Sequence, residues 1–318
     1  MLIIGGMRVR PWNYEFEVPD AKKIRMIVHT DCKNEADDQF ALAHHVMTPG
    51  FLMKGIVAGH FDRVPQSYPQ GETAQASLEE VQKVLKLMDI EGICPVEKGA
   101  EHPLSDEDTP NPSKGAELII REAMREDPHP LYIACQGTLT DLAAAILMKP
   151  EICGRMTAVW IGGGAYPNGG KEFNLYQDAA AANVVLKSDM PLWQIPVDVY
   201  KQLGVSLAEV QRYVKPCGEI GEYLFRHMAE YNLSRPTGIW PHGEVWGLGD
   251  SAAISVLLEE RECTDSYDRI PAPCINLEDL SYITNEKNRE IRVYHQVNAR
   301  LTIQDFYAKL AINYGGKR

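Results

Sequence analysis

The sequence predicts an α/β fold: a mostly parallel central sheet with helices on both faces, folded as a single domain over residues 1–318. Short β-rich runs alternate with longer helical patterns along most of the chain. That alternation needs crossover connections, which lay helices over a parallel sheet. No internal repeat or low-complexity tract interrupts it. At 318 residues and 45% hydrophobic composition, the chain can bury most of its apolar surface without disulfides or structural metals.

The elements follow in order. Residues 24–28 read as the first strand, and 37–47 as a helix with Phe40, Leu42, Ala43, Val46 and Met47 apolar. Residues 51–58 form the second strand. Over 73–88, Leu78, Val81, Val84, Leu85 and Met88 keep helical spacing. A helix over 113–125 has Ser113 as its N-cap and Pro128 beyond its end. Residues 131–135 read as a buried strand, 139–148 as a helix stopped by Pro150, and 157–161 as a strand entering a glycine cluster. A helix over 179–187 and a strand over 192–197 follow, then an apolar helix over 252–258 for which Asp250 is a natural N-cap. The long irregular stretches, 95–113 and 232–249, read as active-site loops rather than linkers.

Forty-four acidic against 32 basic residues give a net charge of −12. Such a balance argues against non-specific nucleic-acid or anionic-membrane binding, which draws its affinity from Lys and Arg. It favours a small-molecule substrate or a bound cation. The seven cysteines include no Cys-x-x-Cys pair, so no zinc or dithiol motif is visible, and the chain reads as reduced and cytoplasmic. Residues 1–8 are apolar for too few positions to be a signal peptide. No run approaches the ~18–20 apolar residues of a membrane span.

In open parallel sheets, ligands bind beyond the carboxyl ends of the strands. The first strand runs into His29-Thr30-Asp31-Cys32-Lys33-Asn34-Glu35-Ala36-Asp37-Asp38, with three Asp and one Glu within eight residues. These hard oxygen donors suit Ca²⁺ or Mg²⁺. Asp37 and Asp38 could equally serve the dipole of the next helix, and an EF-hand is excluded because the glycine of its turn is missing. The second strand ends in Gly59-His60-Phe61-Asp62, where His60 is either a ligand contact or a solvated loop residue. The third ends in Cys135-Gln136-Gly137-Thr138-Leu139-Thr140-Asp141, which alone reads as a turn capped by Thr138. The fourth opens into residues 162–174. A phosphate-cradling loop would need Gly at 165 and Ser or Thr at 172, where this chain has Ala165 and Glu172. Asn168, Glu172 and Asn174 instead suit sugar hydroxyls, with Phe173 and Leu175 as buried anchors.

Considered together, these pieces resemble the calcium-dependent nucleoside hydrolase family, the inosine–uridine-preferring type, as a divergent branch with a Rossmann-like fold. The family's acidic opening is similar to His29-Thr30-Asp31 … Asp37-Asp38, and its Gly-Pro-Leu-Thr-Asn turn to Gly137-Thr138-Leu139-Thr140-Asp141. Its Gly-Gly … Glu-Phe-Asn … Asp-x-x-Ala-Ala signature is close to Gly163-Gly164 … Glu172-Phe173-Asn174 … Asp178-Ala179-Ala180-Ala181-Ala182. Its late His-Asp corresponds to Gly249-Asp250. The matches run in order over residues 24–260.

The resemblance implies roles. Asp31, Asp38, Asp250 and the main-chain carbonyl of Gln136 would hold Ca²⁺, and Asp31 would be the general base for the attacking water. Asp37, Glu172 and Asn174 would hold the ribose hydroxyls, with Asn168 towards the 5′ side and His60 near the sugar. The reaction would free a base and ribose in purine or pyrimidine salvage, through an oxocarbenium-like sugar that anionic side chains stabilise. The family's habit implies a homodimer or homotetramer. Three departures stand out. The span from Asp31 to Asp37 is two residues longer than the usual turn, His29 replaces an Asp, and Gly249 stands where a His would protonate the leaving base. Trp240, His242, Glu244 and Trp246 lie just upstream, and of these Trp240, His242 and Trp246 are candidate base contacts. A dehalogenase-type phosphatase is disfavoured because His29 stands where it needs Asp. A ribose-binding protein without turnover remains the non-enzymatic alternative, which the retained Asp31 argues against.

Overall fold

The computed structural model of the chain describes residues 2–4, 7–9, 12–63, 68–234, 243–259 and 266–316. A short antiparallel hairpin, β1 (Leu2–Ile4) and β2 (Met7–Val9), opens it. Then β3 (Ile24–Thr30), α1 (Asp38–Met47), β4 (Phe51–Ala58), α2 (Thr73–Leu87), β5 (Val96–Lys98) and α3 (Lys114–Ala123) follow. After them come β6 (Leu131–Cys135), α4 (Thr140–Met148), β7 (Thr157–Ile161), α5 (Phe173–Gln177), α6 (Ala179–Lys187) and β8 (Leu192–Ile195). The chain continues through α7 (Val197–Tyr200), β9 (Gly204–Ser206), α8 (Leu207–Glu209), α9 (Gly218–Ser234), β10 (Val245–Gly247) and α10 (Ala252–Leu258). It closes with β11 (Tyr267–Pro271), β12 (Cys274–Ile275), β13 (Tyr282–Ile283), β14 (Glu290–Tyr294) and α11 (Ala299–Tyr314).

Eight strands form the main sheet in the order β11-β14-β8-β7-β6-β3-β4-β5. Every pairing is parallel except β11 with β14. The chain winds outward from β3 through β4 to β5, then returns to β3's other side with β6. Side chains alternate across the sheet as the pleat requires. Met26 and Val28 enter the apolar layer beneath α1 and α10, whereas Ile27 faces the opposite layer with Leu118, Ile133 and Leu142. Helices therefore cover both faces, as expected. No helix among the described residues is long and apolar enough to cross a membrane.

Several boundaries differ from expectation for local reasons. The first strand runs to Thr30, because Gln136 N donates to His29 O (2.8 Å) and Gly59 N to Thr30 O (2.8 Å), extending the ladder. The strand expected over 192–197 stops at Ile195, since Pro196 opens α7. Ser113 caps α3, accepting from Ala116 N at 2.9 Å. Thr138 does not cap α4; Leu139 holds that position and Thr138 Oγ1 meets Thr140 Oγ1 at 3.0 Å. Asp250 is not the cap of α10 either. It lies in a 3-10 turn, Gly249–Ser251, and Ser251 precedes the helix.

α1 is buried along its whole length, including the polar residues Asp38, Gln39, His44 and His45. α11 covers it, with Phe306 against Phe40 (5.6 Å between ring centres) and Asp305 Oδ2 on His44 Nε2 (2.7 Å). His45 directs Nδ1 at Ala41 O (2.9 Å). Burial lowers His44 to about 4, His45 to about 3 and, elsewhere in the fold, His60 to about 4. Each is neutral when folded but protonated below about 6.5 when unfolded. The unfolded chain thus binds more protons between these values, and stability falls as pH drops from about 6.5 towards 4. Each histidine contributes up to about 1.4 kcal/mol per pH unit there. Urea unfolding of His45→Gln beside the unsubstituted protein should show the smaller loss in the variant between pH 6.5 and 4.5. Equal losses would contradict this account.

Candidate active site

β3 and β6 are neighbours at the point where the winding reverses, and a parallel sheet opens a crevice beyond such strand ends. The turns leaving these strands, the segment after β7 and the turn before α10 meet over this crevice. They line a cavity of about 630 Å³ that includes Asp31, Asp37, Asp38, Gln136, Glu172, Asn174, Trp246 and Asp250.

The acidic wall is densely built. Ligand oxygens of Asp37, Asp38 and Asp250 lie within 4.8 Å of one another, and all three residues are buried. Asp37 Oδ2 accepts the main-chain N–H of Asp250 (3.2 Å), and Thr30 Oγ1 donates to Asp38 Oδ1. Asp31 lies on the same wall, 1% exposed, and its Oδ2 has no partner. Gly137 makes room for it, since a Cβ there would lie 3.0 Å from Asp31 Cγ. Gln136 ties this wall to Asp250 by donating Nε2 to its carbonyl (3.1 Å), while its own Oε1 is buried without a partner. Burial, then repulsion from Asp38 and Asp37, pushes Asp31 well above the usual carboxylate range. Burial and Asp37 push Asp38 up to about 7, and Asp250 rises well above its usual value through burial and its three acidic neighbours. Such a group is stable as carboxylates only beside compensating positive charge.

The longer turn after β3 is anchored from outside. Lys33 Nζ reaches Glu80 Oε2 on α2 (2.9 Å), Gln39 Nε2 donates to Cys32 O (2.7 Å), and Tyr231 OH on α9 donates to Asn34 O (3.2 Å). This places Glu35 in the cavity lining. His29 turns to the other face of the sheet, with Nε2 2.9 Å from buried Asp141 Oδ2.

Across the cavity, Glu172 is the N-cap of α5 and accepts from Asn174 N (3.1 Å) and Leu175 N (2.9 Å). Burial raises its pKa, opposed by these hydrogen bonds. Asn174 donates Nδ2 to Ile161 O (2.8 Å), the last residue of β7.

Not every expected residue arrives here. His60 is fully buried, its Nε2 on Thr140 Oγ1 (2.8 Å) and its Nδ1 accepting from Asp62 N (3.3 Å), and it is outside the cavity lining. It is neither solvated nor placed to meet a sugar. Asn168 is exposed and also outside the lining, because its loop folds onto β13, where Tyr282 N donates to Asn168 O (3.0 Å). Trp240 and His242 lie outside the described residues. Trp246 is 2% exposed and packs edge-on against Tyr231 (5.3 Å between ring centres), so its ring is mostly engaged in packing. The lining also holds Glu35, Lys171, Tyr200 and Lys201, which the sequence reading did not single out as site residues. Tyr200 follows β8, so the rule that singled out the other strand ends would have found it there.

Three comparisons bear on this arrangement. The family described as inosine-uridine preferring nucleoside hydrolase matches residues 26–308. The pyrimidine-specific ribonucleoside hydrolase RihA of Salmonella arizonae is 26% identical over 262 residues, covering 72% of this chain and 78% of that one. A purine-preferring ribonucleoside hydrolase from Gardnerella vaginalis superposes with a TM-score of 0.74 at 19% identity, covering 92% of this chain and 99% of that one. An inosine-guanosine nucleoside hydrolase gives 0.70 at 17% identity, covering 91% and 98%.

Proposed function

The chain belongs to the inosine-uridine preferring nucleoside hydrolase family, enzymes that cleave the N-glycosidic bond of ribonucleosides, and from that premise we propose a calcium-dependent ribohydrolase worked by the cavity beyond β3 and β6. The observation that carries the calcium reading is the cluster of buried carboxylates, with Asp31 Oδ2 and Gln136 Oε1 left unpartnered beside it. All-oxygen donors of this kind fit a hard divalent cation. Asp31, Asp38 and Asp250, with the main-chain carbonyl of Gln136, would hold it. When bound, the ion supplies the charge that neutralises the cluster and makes a nearby water acidic enough to deprotonate.

The protein's own groups do the rest. Asp31 takes the proton of the water that attacks the anomeric carbon. As the bond to the base breaks, its electron pair leaves with the base, which takes up a proton from solvent, while positive charge grows on the ribose and the buried carboxylates of Asp37 and Asp38 stabilise it. Asp37 meets the ribose hydroxyls from the acidic wall, and Glu172 and Asn174 form the opposite, sugar-binding wall. The enzyme acts as a single cytoplasmic domain, as a homodimer or homotetramer, in nucleoside salvage. Its acidity disfavours nucleic-acid and anionic-membrane partners.

Reducing-sugar release from a panel of ribonucleosides, with Ca²⁺ and in parallel with a chelator, tests this. Ribose release that the chelator stops and Ca²⁺ restores is the expected result, and the panel then ranks the bases. No release from any ribonucleoside in Ca²⁺ would overturn the reading.

A further inference from the structure

Glu172 faces the sugar-binding side of the cavity, yet its carboxylate is already saturated. Oε1 accepts from Asn174 N (3.1 Å) and from the Tyr200 hydroxyl (2.8 Å), and Oε2 accepts from Gly163 N (2.8 Å) and Leu175 N (2.9 Å). A carboxylate offers about four acceptor positions, and the protein fills them all. Three donors are main-chain N–H groups held by the first turn of α5 and the bend after β7. The fourth is a phenol that itself lines the cavity.

Tyr200 is built into this position. It closes α7, where its N–H reaches Pro196 O (3.1 Å). Its ring lies over Gly249, since a Cβ added there would stand 2.9 Å from Tyr200 Cδ2 and 3.5 Å from Asp37 Oδ2. The ring thus takes the space that a side chain at position 249 would need. Burial and the charge of Glu172 keep the phenol protonated. With its proton committed to a carboxylate, a phenol oxygen becomes a better acceptor, and it keeps unused acceptor positions.

We propose that Tyr200 is the substrate-binding group of this wall: its phenol oxygen receives one ribose hydroxyl, and Glu172 is a positioning residue that acts through it. A hydroxyl could reach Glu172 directly only by displacing Tyr200 from a charge-assisted bond, which is among the stronger kinds of hydrogen bond. The relay requires no displacement. Gly249 belongs to the same device, because any larger residue would push the ring away. This assignment rests on the ribohydrolase reading above.

The test is kcat/KM for a ribonucleoside and its 2′-, 3′- and 5′-deoxy counterparts, with the unsubstituted enzyme, Tyr200→Phe, Glu172→Gln and Gly249→Ala. The unsubstituted enzyme should discriminate against at least one deoxy analogue through Tyr200. Tyr200→Phe should lose about 10- to 100-fold of that one discrimination, keeping its rate on the corresponding deoxy analogue. Gly249→Ala, which displaces the ring without removing the hydroxyl, should lose the same discrimination. A general packing defect would instead slow all four substrates alike, and that result overturns the proposal. So does full discrimination in Tyr200→Phe together with its loss in Glu172→Gln, which would place the hydroxyl directly on Glu172. In both cases ribose release by the unsubstituted enzyme leaves the ribohydrolase reading standing. Absence of release from every ribonucleoside overturns both.

Discussion

Asp31→Asn should lower kcat by at least about 10³-fold, at the upper end of what a single general base contributes, because the same side chain also faces the cation. The fold should survive. Asn matches Asp in size, and Gly137 leaves room around the side chain. The substitution breaks no hydrogen bond at Oδ2, which has no partner. It also removes a buried charge repelled by Asp38 and Asp37. The expected pattern is therefore loss of turnover at saturating Ca²⁺, with thermal stability in chelator no lower than that of the unsubstituted protein and with retained binding of a non-hydrolysed ribonucleoside analogue once Ca²⁺ is saturating. Single-turnover ribose release at saturating substrate measures the chemical step without the complication of product release. A variant that kept more than a tenth of the rate would remove Asp31 from the role of base.

The readable parts of this fold were the apolar ones. The bounds of 51–58, 131–135 and 157–161 are legible because predominantly apolar runs between turn residues, broken in the first only by Lys54 and Gly55, have few alternatives once a parallel sheet is supposed. β3 outruns its apolar stretch, because His29 and Thr30 look like loop residues and only their pairing across the sheet makes them strand. β14 is hidden in the sequence for a similar reason. Glu290 and Arg292 interrupt its apolar positions, and the register that places it beside β8 depends on residues about a hundred positions earlier.

The site divides in the same way. The run from Asp31 to Asp38 is contiguous, so its charge crowding can be seen in the sequence. Asp250 joins it across 212 residues from Asp38, and by itself it reads as a helix cap. His60 shows the opposite failure. A histidine at a strand's carboxyl end can face the crevice or the interior, and its contact with Thr140 on α4 decides which. Tyr200 carries no motif. Its importance comes from the geometry of Glu172 and Gly249, which lie 28 and 49 positions away from it.

Asp250→Asn separates what the carboxylates cost the fold from what they do for the reaction. Asp250 is buried, and its pKa is raised by burial and by Asp37, Asp38 and Asp31. A carboxyl group whose folded pKa exceeds its unfolded value contributes stability at low pH, which is lost as pH rises towards the folded value. Above that, the ionised group opposes folding unless a cation compensates it. In chelator at pH 8 the neutral Asn should therefore raise Tm by a few degrees over the unsubstituted protein. Ca²⁺ should reverse the order. A ligand at 100 times its dissociation constant stabilises the folded state by about 2.7 kcal/mol, and a variant lacking one charged donor should need at least about 10²-fold more Ca²⁺ to gain as much. Calcium titrations followed by thermal unfolding would show the two curves crossing. A variant that was less stable in chelator, or that responded to Ca²⁺ like the unsubstituted protein, would mean that Asp250 serves the fold rather than the cation. The crossing would show that the acidic wall is retained at a cost in stability, since burying these charges benefits only the form of the protein that holds the ion.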